Sequence, residues 1–173
     1  ALTDDPLLTA RVEAGRPDYG RRPTRIVLDE HLELPPESRL AATAGQVPLL
    51  VVTTPEADEQ RARRLRECGA EVLRLARCQE GVGLVPLLEE LGRRGMTNLL
   101  VEGGRRTLSS FLRDGLVDRL TVFIAPKLIG GQSEYVAPGP DGRVSMSEAL
   151  PLLRPTVSQI GPDVLIEGVL RDY

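Results

Sequence analysis

The stretch NLLVEGGRRTLSSFLRDGLVDRL, residues 98–120, decides the fold, because two kinds of secondary-structure pattern meet in it. Its apolar run NLLV is typical of a buried β-strand, which we expect to end at Glu102. Residues 105–113 have the composition of a helix, and Gly115 lies just past its end. Gly103 and Gly104 form the turn between the two elements. The sequence therefore predicts a strand, a glycine turn and a helix in succession.

This turn has the chemistry of an anion site. Glycine lets backbone N–H groups approach a ligand, and a first helical turn offers unpaired N–H donors and about half a positive charge. A phosphate or pyrophosphate fits there. Ligands of open α/β sheets bind at the carboxyl ends of strands, where Glu102 is expected. Because a carboxylate repels an anion, Glu102 is expected to bind a different ligand from the phosphate. We therefore expect two ligands, a phosphate-bearing cofactor on the glycines and a polyol or amine at Glu102.

The local pattern is also compatible with a purely structural turn. Gly103 and Gly104 would then only make a tight connection, and Glu102 would face solvent. The turn is neither a six-residue G-x-G-x-x-G nor a P-loop with its lysine. The pattern alone leaves both interpretations open.

Strands and helices alternate on the amino-terminal side of this stretch. The apolar runs TRIVLD, VPLLVVTT and EVLRL, which begin at Thr24, Val47 and Glu71, are predicted as strands. A helix is predicted between the second and third runs, with Thr54 as its cap, Pro55 as its first residue, and Gly69 after its end. A further helix follows the third run and ends at Gly95; its apolar face is formed by Leu84, Leu87, Leu88 and Leu91.

On the carboxyl-terminal side, LTVFIA at residues 120–125 is predicted as another strand. After a stretch rich in glycine and proline, residues 130–142, the runs TVSQIG and VLIEGVL are separated by Gly161, Pro162 and Asp163, which is typical of an antiparallel hairpin. Alternating strands and helices favour an α/β sandwich with a mostly parallel central sheet. The hairpin closes the chain.

Length and composition narrow the class of protein. A chain of 173 residues with 41% hydrophobic residues is about one domain long. A net charge of −3 argues against a general nucleic-acid binder, and no apolar run approaches the roughly 18 residues that cross a bilayer. Cys68 and Cys78 match no zinc spacing and are too few for a disulfide framework, so no metal site is predicted and a cytoplasmic location is expected.

Three segments together resemble a known family. TDDPLLTAR at residues 3–11, RIVLD at 25–29 and VEGGRRTLSSFLRDGLVDRLTVFIAPKLIGG at 101–131 resemble, in this order and spacing, the reductase domain of riboflavin biosynthesis. That domain also forms the carboxyl-terminal half of bifunctional deaminase-reductases. The resemblance implies a dihydrofolate-reductase-like three-layer sandwich. It also implies NADPH-dependent reduction of a ribosylaminopyrimidine 5′-phosphate to the ribitylamino form, with hydride delivered to C1′ of the opened ribose.

The resemblance also implies roles for individual residues. Leu8 and Arg11 would contact the substrate, Arg11 at its phosphate, and Glu102 would bind near the ribose. Asp4 would lie at the nicotinamide end of the cofactor. Asp4 and Glu102 are the catalytic candidates, and the proton that accompanies hydride can come from either or from water. The residues expected at the cofactor are Asp4, Glu30, Gly103, Gly104, Arg105, Arg106, Thr107, Leu108, Ser109 and Ser110.

The chain departs from the family pattern at several positions. Arg105 and Arg106 follow the glycines, where they can contact cofactor phosphates or face solvent. Glu30 stands where the family often has a small hydroxyl residue, and an acid there would repel a 2′-phosphate, so NADH is an alternative cofactor. The family has a strand and a turn before the D-D-P element. We therefore expect residues 1–173 to be a reductase domain without that strand and turn.

Other functions stay open at this stage. The chain lacks the H-x-E and P-C-x-x-C signature of zinc deaminases, so no deaminase activity is expected from it. Alternatives are a non-catalytic nucleotide-binding module of the same fold and a same-fold reductase with another substrate. The expected partner is a small phosphoribosylaminopyrimidine, without nucleic acid or membrane, in a homodimer.

Overall fold

A computed structural model describes residues 5–9, 22–78, 81–127 and 149–172 of the chain. The chain falls into two compact units, Ala1–Leu99 and Leu100–Tyr173. The glycine- and proline-rich stretch at residues 130–142 lies outside the described residues.

The first unit is built on a parallel sheet of three strands. These are β1 (Arg25–Leu28), β2 (Leu49–Thr53) and β3 (Glu71–Arg74), in the order β1-β2-β3. All five residues of β2 are buried, as expected for the central strand of a sheet that is covered on both faces. The three predicted strands are confirmed.

Helices cover the two faces of this sheet. On one face, Val51 packs with Leu40 of α1 (Arg39–Ala42) and Leu65 of α2 (Glu59–Glu67). On the other face, Val52 packs with Leu87 of α3 (Leu84–Arg93). The alternation of side chains along a strand therefore produces three layers. None of the helices in the described part of the chain has the length and apolar composition needed to span a bilayer.

The predicted start of α2 is wrong. The helix begins at Glu59 rather than at Pro55, and Asp58 caps it by accepting a hydrogen bond from the Arg61 N–H at 2.8 Å. The preceding residues form a turn in which the Ala57 N–H donates to the Thr54 carbonyl at 3.2 Å. A carboxylate one turn later thus replaces Thr54 as the cap. The predicted end is confirmed, since Gly69 follows the helix with a φ of +94°.

Three short elements of the first unit have no strong sequence pattern. The four-residue helix α1 is capped by Ser38, whose hydroxyl accepts from the Ala41 N–H. The strands β4 (Arg77–Cys78) and β5 (Gly81–Val82) form a short antiparallel pair. Such short elements carry too few residues to show a hydrophobic period.

The second unit contains a helix and an antiparallel sheet. Helix α4 spans Arg105–Arg113, as predicted, and Gly115 follows it with a φ of +64°. Strands β6 (Arg119–Ile124), β7 (Leu153–Ile160) and β8 (Asp163–Val169) form a sheet in the order β6-β8-β7. The predicted terminal hairpin is confirmed as β7 and β8, which turn at Gly161 with a φ of +59°.

Strand β7 is irregular near its start. Its register against β8 shifts between Leu153 and Thr156, where Arg154 adopts a φ of +48° and Pro155 follows. Proline has no N–H to donate to a neighbouring strand. The strand therefore contains a β-bulge in its first half.

The predicted buried strand before Glu102 is wrong. Residues 97–103 form no strand, and the Leu99 and Leu100 side chains are 38% and 79% exposed. A strand requires a neighbour that pairs with its backbone, and none of the described segments makes a backbone hydrogen bond with these residues. The apolar run therefore leads into α4 as an extended, irregular segment.

Candidate functional site

The start of α4 combines several features of an anion site. Its cap residue, Gly104, provides no side-chain hydrogen bond, and the first turn contains no acid. The Leu108 N–H is the first that bonds back to the Gly104 carbonyl, at 3.3 Å. The N–H groups of the first turn are therefore without helical partners, and the helix dipole adds partial positive charge at the same place.

The two glycines before α4 differ in backbone conformation. Gly103 has a φ of +120°, which side-chain-bearing residues rarely adopt, whereas Gly104 has a φ of −58°. A Cβ added at either position would meet nothing within 4 Å. The space beside the turn is thus not filled by any of the residues that the structure describes. The backbone conformation requires glycine at position 103, while none of the described neighbours requires it at position 104.

The predicted site residues on this segment differ in exposure. Glu102 is exposed, and no described residue forms a hydrogen bond or ion pair with its carboxylate. Arg105 and Arg106 are exposed, and the next four residues are half-buried. Phe111 is the side chain through which α4 packs, with 3% exposure. The structure therefore brings together the glycine turn, one exposed acid and two exposed arginines at one end of a helix; the half-buried residues are Thr107, Leu108, Ser109 and Ser110.

In the first unit, Glu30 lies at the carboxyl end of β1. Its carboxylate is 2.8 Å from Nη2 of Arg77, and its backbone carbonyl accepts a hydrogen bond from the buried Thr53 hydroxyl at 2.9 Å. The Gly81 Cα is so close that an added Cβ would lie 3.1 Å from the second carboxylate oxygen. Arg77 therefore offsets the charge that Glu30 would present to a phosphate at this edge.

Arg74 organises the loop that follows β2. Its Nη1 lies within hydrogen-bonding distance of the carbonyl groups of Thr54, Pro55 and Ala57, at 2.9–3.1 Å. Its Nη2 donates to Glu59 at 2.6 Å. This loop lies at the carboxyl edge of the parallel sheet, where open α/β sheets bind ligands.

Glu56 at the same edge has a shifted pKa. Hydrogen bonds from its own backbone N–H and from the Thr54 side chain lower the pKa of Glu56, and the charges of Arg77 and Arg74 lower it further. Glu30, Glu56 and Glu59 are thus carboxylates at this edge that each lie close to an arginine.

The segment at residues 5–9 carries Leu8, a predicted substrate contact. Leu8 is 37% exposed and has a φ of +50°, and Asp5 has a φ of +38°. The Asp5 carboxylate accepts a hydrogen bond from the Arg39 backbone N–H at 2.8 Å. Leu8 and Glu30 thus belong to the first unit, and residues 102–110 belong to the second. Asp4 and Arg11 lie outside the described residues.

Sequence reasoning missed three arginines that organise these regions, namely Arg25, Arg74 and Arg77. Arg25 and Arg74 are the first and last residues of strands whose other members are largely apolar. A charged residue at the end of such a strand is the signal that could have indicated them. Nothing in the sequence gives their partners, which lie between 15 and 22 positions away for the hydrogen bonds of Arg25 and Arg74.

Known proteins similar to this chain share its fold and part of its sequence. A curated reductase from Aquifex aeolicus (strain VF5), named 2,5-diamino-6-ribosylamino-4(3H)-pyrimidinone 5′-phosphate reductase, is 33% identical over 94 residues, which are 54% of this chain and 38% of that protein. The chain thus spans well under half the length of this relative.

Solved structures show the same fold at lower identity. Form 2 of Acinetobacter baumannii RibD superimposes with a TM-score of 0.79 and 22% identity, over 97% of this chain and 44% of that one. A pyrimidine reductase-like protein from Corynebacterium diphtheriae superimposes with a TM-score of 0.70 and 24% identity, over 87% of this chain and 62% of that one.

The sequence family described as the RibD C-terminal domain matches residues 1–166, which is nearly the whole chain. This match includes the D-D-P segment, the parallel sheet, the glycine turn with α4, and most of the terminal hairpin. The chain therefore belongs to the RibD C-terminal domain family.

Proposed function

We propose that this chain is a reductase domain of riboflavin biosynthesis, which uses NADPH to reduce a ribosylaminopyrimidine 5′-phosphate to its ribitylamino form. Membership of the RibD C-terminal domain family supports the reaction class, and the name of the Aquifex aeolicus relative supports the substrate class. The observation that carries the proposal is the uncapped, acid-free start of α4 behind Gly103 and Gly104, with Glu102 directly before it.

The residues at the start of α4 fit a cofactor pyrophosphate. A helix start without a side-chain cap or an acid, the helix dipole, and the open space that the described residues leave beside both glycines suit an anion. Arg105 and Arg106 add positive charge next to these donors. When bound, the nicotinamide cofactor supplies the hydride. Thr107, Leu108, Ser109 and Ser110 complete the segment that we assign to the cofactor.

Glu102 and Asp4 are the proposed acids near the substrate. Reduction at C1′ adds a proton as well as a hydride, and an exposed carboxylic acid or a water molecule can provide that proton. A carboxylate can also orient ribose hydroxyl groups by accepting their hydrogen bonds. Leu8 and Arg11 are assigned to substrate binding, with the Arg11 fork facing the substrate phosphate.

The direct test is steady-state oxidation of NADPH with and without the ribosylaminopyrimidine phosphate. We expect turnover only when both are present, and we expect Glu102→Gln to lower kcat/KM by about tenfold or more while cofactor affinity stays unchanged. Arg11→Ala should raise the KM for the substrate and leave cofactor affinity nearly intact. If Arg11→Ala weakened only NADPH binding, the substrate site and the cofactor site would have been assigned the wrong way round.

The same assay separates the two alternatives. A non-catalytic module would bind cofactor without oxidising it, and a reductase with another substrate would oxidise it only with a different acceptor. The cofactor itself is tested by comparing NADPH with NADH. Arg77 beside Glu30 supports NADPH, because it offsets the acid that would repel a 2′-phosphate.

The remaining assignments concern the environment of the protein. We propose that residues 1–173 act as a cytoplasmic reductase domain in a homodimer, whose only small-molecule partners are the cofactor and the pyrimidine phosphate. The net charge of −3 supports the proposal that nucleic acid is not a partner. Sedimentation of the active protein would test the dimer.

A further inference from the structure

Arg25 is a buried charge that has only neutral partners among the described residues. Arg25 is 3% exposed. Its guanidinium donates hydrogen bonds to the Leu7 carbonyl at 3.3 Å, the Thr43 hydroxyl at 2.7 Å and the Val47 carbonyl at 2.6 Å. None of the carboxylates in the described ranges forms an ion pair with it. Burial accordingly lowers the pKa of Arg25. An unpaired buried charge is costly, so a packing role alone does not explain arginine here.

The partners of Arg25 show what it connects. Val47 precedes β2, and Thr43 follows α1, so these two bonds join neighbouring elements of the first unit. Leu7 belongs to neither element. It lies in the segment at residues 5–9, whose other described contacts join Asp5 to Arg39 at the start of α1. The Asp5 carboxylate accepts from the Arg39 backbone N–H, and the Asp5 carbonyl accepts from the Arg39 guanidinium. This segment therefore runs alongside α1 and is held near both ends of that helix.

The segment is also strained. Asp5 and Leu8 have φ values of +38° and +50°, and leucine has no side-chain hydrogen bond to stabilise this conformation. Such conformations persist only where the surrounding structure holds them, and they concentrate at functional sites. The described contacts that hold this segment involve Arg39 and Arg25, and the Arg25 contact is to the residue directly before Leu8.

We infer that Arg25 is a positioning residue, which holds the backbone of Leu7 so that Leu8 keeps its left-handed conformation and its contact with the pyrimidine substrate. This inference rests on the proposed function for the substrate, and on the described geometry for the anchoring. In this inference Arg25, which is buried, acts through the Leu7 backbone and not by touching the substrate.

The test compares Arg25→Gln with the matched control Arg22→Gln. Arg22 also donates to a backbone carbonyl near β2, that of Gln46 at 2.8 Å, but it is exposed, and none of the hydrogen bonds found for it joins it to residues 5–9. For Arg25→Gln we expect faster amide hydrogen exchange at Leu7 and Leu8, and a KM for the substrate raised about tenfold, with NADPH affinity and exchange in β3 unchanged. Arg22→Gln should change none of these.

The outcomes separate the anchoring from the proposed function. Unchanged exchange at Leu7 and Leu8 in folded Arg25→Gln would overturn the anchoring. Faster exchange with an unchanged KM for the substrate would overturn the role of Arg25 in substrate binding. The same conclusion would follow if the KM rose and the NADPH affinity fell by equal factors. Leu8→Gly, which removes the side chain but suits the backbone, should raise the KM without faster global unfolding. Wild-type protein that never oxidises NADPH with this substrate would overturn the proposed function, while the exchange result still decides the anchoring.

Discussion

At the scale of single residues, Gly103 and Gly104 are neighbours of which only Gly103 has a backbone conformation that requires glycine. The φ of +120° at Gly103 excludes side chains by backbone strain, so a substitution there tests folding and binding together. Gly104 has an ordinary φ of −58° and open space around its Cα. Substitution of Gly104 therefore isolates binding.

Gly104→Val should weaken NADPH binding by about tenfold or more, or about 1.4 kcal/mol, because its side chain would enter the space assigned to the pyrophosphate. Fluorescence titration of the cofactor measures this effect, and thermal unfolding checks that the fold is retained. Gly45→Val is the control, since a Cβ there also meets nothing within 4 Å. Equal affinity in folded Gly104→Val and wild type would exclude the turn as the phosphate site.

Glu90 gives a residue-scale prediction about pH. A hydrogen bond from Arg94 at 2.7 Å, with the added charge of Arg93, lowers the pKa of Glu90 below its ordinary value of 4.5. Because the folded-state pKa is depressed, the stabilisation is present above the unfolded-state value and is lost as pH falls through the folded-state value. Glu90→Gln should therefore lower Tm at neutral pH, and the difference should shrink as the pH falls below the ordinary Glu90 value of 4.5.

The neighbouring acid supplies the control for this measurement. Glu89 is exposed, and no ion pair with a described residue is found for it. Glu89→Gln should leave Tm nearly unchanged at every pH. A Tm difference for Glu90→Gln that persisted at low pH would mean that packing or hydrogen bonding, rather than charge, carries the effect.

At the scale of elements, α2 shows how a loop competes with a helix for the same residues. Arg74 binds the carbonyl groups of Thr54, Pro55 and Ala57, which keeps these residues out of the helix. Asp58 then caps the helix that remains. The loop at the carboxyl edge of the sheet is thus kept at the expense of one helical turn.

Asp58→Ala should destabilise the protein by about 1 kcal/mol, because the Arg61 N–H would lose its acceptor at the start of α2. Asp58→Asn should cost much less, since asparagine caps helices nearly as well. Urea unfolding of the three proteins measures the difference. A loss as large in Asp58→Asn as in Asp58→Ala would argue that charge, and not capping, is the source.

Helix α4 and the terminal hairpin were predictable because their signals are local. Gly115 and the residue composition bound α4, and Gly161 with Pro162 marks the turn between β7 and β8. The strand before Glu102 was predicted wrongly, because an apolar run shows only that a segment is able to pair. Pairing also requires a partner, which is a property of distant residues.

In the candidate site, too, features set by local sequence were predictable and features set by distant residues were not. The glycine turn was predictable from local sequence, whereas the partners of Glu30 and Leu7 were not. Arg77 and Arg25 reach these residues through tertiary contacts that leave no local pattern. From the sequence alone, the negative charge of Glu30 predicts that a phosphate is repelled. Only the fold reveals that Arg77 offsets this charge.

At the scale of the whole molecule, the two units differ in how much apolar surface they bury. Of the nineteen buried apolar residues in the described ranges, seventeen lie in the first unit, and only Phe111 and Leu165 lie in the second. The first unit buries so many apolar residues because helices cover both faces of its parallel sheet. The antiparallel sheet of the second unit leaves Phe123, Val157 and Ile160 more than half exposed.

Amide hydrogen exchange should therefore be slowest in β2 and faster in β7 and β8, by about a hundredfold or more, because local stability follows buried contacts. Exchange measured by NMR or by mass spectrometry at neutral pH checks this order. Equal protection in both sheets would show that the protein opens as a single cooperative unit. Binding of NADPH should slow exchange at the start of α4 if the glycine turn is the phosphate site.

The bulge in β7 also bears on solubility. In the described part of the sheet β7 is an edge strand, and Val157 and Ile160 give it the composition that favours pairing with strands of other molecules. Pro155 and the bulge at Arg154 interrupt that edge and shorten the ladder on which another chain could add. We therefore expect the irregularity to limit intermolecular β-sheet growth, and its removal should become visible as aggregation in concentrated solution.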